Sequence, residues 1–137
     1  MTKIENIDKE QLHLYTASLM LLIASADDVV EESEIKVITD ILCDFYKIKK
    51  EKANYLLTEA KKINNNSTDL FEAGSYINNL LSLQDKIDFI ACIYEVAYAD
   101  KNMHFLERHI IKQISNILNI NKEQHKKIKN EVKKYLL

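Results

Sequence analysis

The sequence predicts an all-α domain, and three observations carry that prediction. The chain of 137 residues has no Pro and a single Gly, so it lacks the residues that hairpins and sheet turns demand. Hydrophobic residues make up 47% of it and recur at helical steps of three and four. The stretch Ala24 to Glu34 is repeated at Ala97 to Glu107. Each copy reads Ala-x-Ala-Asp with a Glu seven residues after the Asp, at one constant offset (100 − 27 = 107 − 34 = 73). One domain over residues 1–137 follows, a bundle of about seven helices in two related halves, roughly 8–63 and 69–137.

The first helix is expected from about Asp8 to Ala26, because Leu12, Thr16, Leu19, Met20 and Ile23 form one stripe. An acidic turn ends it. The second opens near Glu31, with Glu31, Glu32 and Glu34 where the macrodipole favours negative charge, and turns Ile38, Ile41, Leu42 and Phe45 inward. A third, from about Lys49 to Ile63, buries Ala53, Leu56, Leu57 and Ala60. Residues 64–69, Asn-Asn-Asn-Ser-Thr-Asp, read as the loop dividing the repeats, since short amides and hydroxyls compete for nearby backbone. A fourth helix from about Asp69 to Leu81 buries Leu70, Ala73, Ile77, Leu80 and Leu81. Ser82 with Asp85 caps a fifth that runs to Ala99, and a sixth spans roughly His104 to Asn119 with Ile111, Ile114 and Leu118 facing in. Asn121 with Gln124 caps a last, basic helix through Ile128 and Val132.

Composition narrows the function. Cys43 and Cys92 lie far apart in apolar helical patterns, so they read as core thiols in a reducing, cytoplasmic setting. The residues before Ala24 carry Glu5, Asp8 and Glu10, a poor secretion leader, and the apolar run from Leu14 to Ala26 is too short to span a bilayer. No membrane insertion is expected. There is no Gly-rich phosphate loop, no serine elbow and no paired histidine on a helix; His13, His104, His109 and His125 are scattered, and His104 and His109, which flank Glu107, read as exposed polar-face residues. This argues against an enzyme. Lys122, Lys126, Lys129 and Lys133 form one stripe on the last helix; the reading is a solvated face, with no nucleic acid expected. Several of the seven tyrosines suit an interface with a protein partner, and Tyr98 stands inside the second motif, where it could screen the site or offer it a hydroxyl.

The repeated acids carry the site hypothesis. Asp27 follows Ile23 by four and Met20 by seven, and Asp100 stands in the same relation to Val96 and Ile93. Glu34 precedes Ile38, Ile41 and Phe45 by the same steps by which Glu107 precedes Ile111, Ile114 and Leu118. All four therefore continue inward stripes and emerge at the rim of the core. Carboxylates held there need a cation, a basic side chain or backbone donors, and the last carbonyls of a helix add oxygen ligands. A divalent ion of calcium or magnesium type on Asp27, Glu34, Asp100 and Glu107, with Glu31 as a further ligand, is one reading. Structural capping is the other, worth about 0.5–2 kcal/mol for a good cap. An EF-hand is excluded, since position twelve counted from Asp27 is Ile38.

At these residues the chain resembles the TerB family, the helical domain named for tellurite-resistance operons and found also at the start of DjlA co-chaperones. The matching residues are Ala24, Ala26, Asp27, Val30 and Glu34, then Ala97, Ala99, Asp100, Met103 and Glu107, and the likeness extends from about Leu12 to Val132. The family's Gly after each Asp is here Asp28 and Lys101, which alters a turn that Gly makes easily. Lys101 also puts a cation beside the second copy, so the first half is the better metal candidate. The resemblance implies a divalent-cation site at the acidic motifs and a non-enzymatic binding or regulatory module in stress response or protein assembly. The alternative is a metal-free protein-interaction scaffold whose acids are caps. No J domain is present, because its His-Pro-Asp signature needs a Pro.

Overall fold

From Thr16 to Ala24 every residue except Leu22 is buried, far more than the one-sided stripe of a surface helix. Such a helix must be wrapped by others. In the computed structural model, which describes residues 3–25, 32–65, 70–98 and 105–136, this is what the chain does. The elements are α1 (Lys3–Ala24), α2 (Glu32–Tyr46), α3 (Lys50–Asn65), α4 (Leu70–Leu80), α5 (Leu83–Ala97), α6 (Phe105–Ile117) and α7 (Lys122–Leu136). Every element of the described residues is a helix. Helix α1 packs against α2, α3, α4, α5 and α6, while α7 lies on α5.

The polar groups of α1 are satisfied inside this wrapping. Thr16 Oγ1 donates to the Leu12 carbonyl at 2.8 Å and pairs with the Tyr46 hydroxyl at 2.5 Å. Ser18 Oγ donates to Asn64 Oδ1 at 2.5 Å, and Asn64 Nδ2 returns a bond to the Ser18 carbonyl at 3.2 Å. These bonds explain why α3 runs on to Asn65. The amide that would compete with the helix as a loop residue is spent on α1 instead.

The repeat spacing reappears in the helix ends. Helices α1 and α5 end at Ala24 and Ala97 (97 − 24 = 73), and α2 and α6 begin at Glu32 and Phe105 (105 − 32 = 73). Helix α1 packs on α2 and α3 as α5 packs on α6 and α7. Helix α4 stands between these triplets and bridges α1 and α6. It comes close to α6 because residue 74 is Gly: a Cβ there would meet Ile117 Cγ2 at 2.8 Å. Contacts of α1 with α5 and α6, and of α2 with α5, join both triplets around one hydrophobic core.

The ends of α2 and α6 share a device that no Gly announces. Lys47 and Asn119 take left-handed φ values of 56° and 60°. Beyond them Ile48 N donates to Cys43 O at 3.3 Å and Ile120 N to Ser115 O at 2.9 Å, the long bond of a Schellman closure.

The two sequence-read caps are present. Ser82 accepts from Asp85 N at 3.2 Å, and Asn121 and Gln124 exchange reciprocal bonds of 2.7 and 3.0 Å. Several expectations are corrected. Helix α1 starts at Lys3 rather than near Asp8, since nothing between those residues breaks a helix. Leu80 is 45% exposed because α4 ends on it as the chain turns into the Ser82 cap. Cys43 and Cys92 lie half-buried against the core rather than within it. The Cys92 thiol is pushed up to about 12 by burial and then by the carboxylates of Glu95, Asp88 and Asp44, so it stays protonated.

Candidate functional site

Glu34 and Glu107 occupy the third position of α2 and α6, and both are buried, at 2% and 1% exposure. The reason lies in their phase. Each begins the stripe that continues into Ile38 and Ile41 or Ile111 and Ile114, all buried, so the helix that buries those isoleucines also buries the carboxylate. This goes further than the rim position read from sequence. A carboxylate this deep is costly unless donors or a cation face it, and neither residue is without a polar or electrostatic interaction.

The other predicted ligands, Asp27, Glu31 and Asp100, lie outside the described residues. Among the described residues no group of three or more His, Cys, Asp and Glu comes together. Helices α2 and α6, which present the two glutamates, are each laid against α1 and α5.

Tyr98, expected to screen or serve the second motif, is half-buried with its ring 6.2 Å from that of Tyr94, and its N–H closes α5 on the Tyr94 carbonyl at 2.9 Å. The histidines divide. His109 is exposed as expected, and His104 lies outside the described residues. His13 instead stacks on Tyr46 at 3.9 Å between centroids, and His125 pairs through Nε2 with the hydroxyl of buried Tyr94. Burial lowers the pKa of both, reinforced at His13 by Lys52 and at His125 by Lys129 and Lys112. Sequence reasoning missed these two because an aromatic partner on another helix leaves no spacing signal.

The repeated buried acids of a two-triplet helical domain are now in place, and comparison with known families settles where they belong. A family model described as tellurite resistance protein TerB matches residues 13–130. The chain belongs to the TerB family. The TerB match runs from the middle of α1 well into α7, so it takes in both acidic motifs and the core beneath them. No match was found among curated proteins or among solved structures. Among the described residues of this TerB domain no helix is long and apolar enough to cross a membrane.

Proposed function

We propose that this TerB domain is a non-enzymatic binding and regulatory module whose repeated acidic turns hold a divalent cation, acting in the cytoplasm in a stress response of the tellurite-resistance kind. The observation that supports it most is the burial of Glu34 and Glu107 at equivalent positions of the two triplets. Asp27, Glu31 and Asp100 would complete an oxygen donor set of the kind that calcium or magnesium takes. A bound ion would tie each motif to the helix pair it joins, and its loss or gain would change the surface offered to a protein partner.

A second reading has its own support. The third helical position is where a glutamate reaches back to the backbone at the helix start, so both acids also suit capping. The domain would then be a metal-free interaction scaffold.

Calorimetric titration of calcium, magnesium, manganese and zinc into metal-stripped protein separates the two. The cation reading expects saturable binding, roughly micromolar, that raises thermal stability and disappears in the Asp27→Asn/Glu34→Gln variant. If no ion binds and the variant is merely less stable, by about 0.5–2 kcal/mol, the acids are caps.

A further inference from the structure

Helices α6 and α7 carry more positive charge toward one another than stability alone would arrange. Arg108 and Lys112 stand four apart on α6, and Lys122, Lys126 and Lys129 step by four and three on α7, so each set forms one face of its helix. Both faces line a single cavity of about 620 Å³, together with His125 and, from α5, Tyr94. Among the described residues no carboxylate lines it. The two ion pairs formed among the described residues, Lys52–Glu10 and Lys62–Glu59, lie elsewhere, on α1 and α3. In a chain whose formal net charge is −2, five permanent cations thus converge with no anion among the described residues that line the cavity.

Crowding is felt by the groups themselves. The Lys129 ammonium is held below its usual range by burial and then by Lys133, Arg108 and Lys112, charges from both helices. Unpaired like charges around a concave, low-dielectric wall concentrate counter-ions there. The volume is that of a small-molecule site, and residues of three helices converge on it; a nucleic-acid strand would ask for an extended track. Tyr94 and His125 fix the floor by their mutual hydrogen bond, so the cations are arrayed on rigid helices around a formed base.

We infer that the cavity between α6 and α7 is a binding site for a small molecule bearing two or more adjacent phosphate groups, held by Arg108 and Lys112 from one side and by Lys122, Lys126 and Lys129 from the other. A chain of phosphates offers charge to both helices at once, which matches cations arrayed on two sides of one cavity. Arg108 supplies the planar fork that grips two oxygens, and the lysines act as point charges. The site is separate from the acidic turns and does not depend on a cation there.

The test is calorimetric titration of inorganic tripolyphosphate into the full chain, with ATP, orthophosphate and a single-stranded oligonucleotide as parallel probes. Tripolyphosphate is expected to bind saturably at one site. Orthophosphate should bind at least about tenfold more weakly, since forgoing a single charge-assisted hydrogen bond costs roughly that factor. The Lys112→Gln/Lys129→Gln variant should bind about tenfold or more weakly, while Lys50→Gln/Lys61→Gln on α3 leaves affinity unchanged. Removing mutually repelling charges should not unfold the protein, so a thermal melt at or above wild type accompanies the weaker binding. ATP binding as tightly as tripolyphosphate identifies the phosphates as the recognised part, and ATP binding more tightly adds a nucleoside contact; both support the site. It is overturned by failure of tripolyphosphate to saturate, by equal affinity for orthophosphate, by equal weakening in the α3 control, or by binding of the oligonucleotide alone.

Discussion

At the scale of single residues, the partner of a titratable group decides its behaviour. His13 and His125 sit half-buried against tyrosines, and both pKa values lie below the ordinary 6.5. At His13 burial comes first, and Lys52 and Lys9 outweigh the opposing Glu10; at His125 burial is reinforced by Lys129 and Lys112. The folded state therefore holds fewer protons than the unfolded chain as pH falls below 6.5. Stability is complete above that value and declines beneath it until the folded pKa values are passed. Urea denaturation between pH 7.5 and 5.5, pH values bracketing an unperturbed histidine, should show a falling midpoint, and the His13→Asn/His125→Asn variant should flatten that slope. A slope unchanged in the variant would assign the acid sensitivity to other groups. The same scale explains what the sequence disclosed of the site. The inward phase of Glu34 and Glu107 was legible because an apolar stripe runs into each carboxylate, but it placed them at the rim of the core and not within it. The cationic cavity was not, because Arg108 and Lys112 meet the α7 lysines only across two helices, and one helix's charge stripe reads as a wet face.

Among elements, what could be read depended on whether the signal was local. All seven helices were legible from apolar period, and the caps at Ser82 and Asn121 from side-chain chemistry. The end of α3 was not, since Ser18 on α1 decides whether Asn64 is helix or loop. The closures of α2 and α6 were hidden too, because the left-handed position is filled by Lys47 and Asn119 instead of Gly. Asn adopts that conformation with local help, but a Lys does so at a cost of about 1–2 kcal/mol. Lys47→Gly should relieve it. Against the extra freedom Gly brings to the unfolded chain, the net gain is about 0.5–1 kcal/mol, or roughly 2–4 °C in melting temperature. Lys47→Ala keeps the strained φ and should leave the melt near wild type. If Ala and Gly stabilise alike, the gain comes from removing the Lys charge and not from the backbone.

For the whole molecule, the question is whether two repeated triplets make two units or one. The sequence repeat alone leaves both open, and the packing argues for one. Helix α1, buried on nearly all sides from Thr16 to Ala24, touches both members of the opposite triplet that bear the second motif, and α4 ties it to α6 again. Removing either triplet would uncover α1 or α5, whose buried faces are too apolar to stand in water. Unfolding should therefore be a single cooperative transition. Ile38 and Ile111 are equivalent, fully buried positions of the two triplets, so Ile38→Ala and Ile111→Ala should each cost about 2–5 kcal/mol. In a shared core each shifts the entire urea transition, followed by helical circular dichroism and by tyrosine fluorescence, with the two signals superimposed and the slope unchanged. Two independent halves would respond differently: either substitution would split the curve, leaving the partner triplet melting at its original midpoint. Coincident curves in both variants would mean that each acidic turn is stabilised by the whole core, so an event at one motif is felt through α1 and α5 at the other.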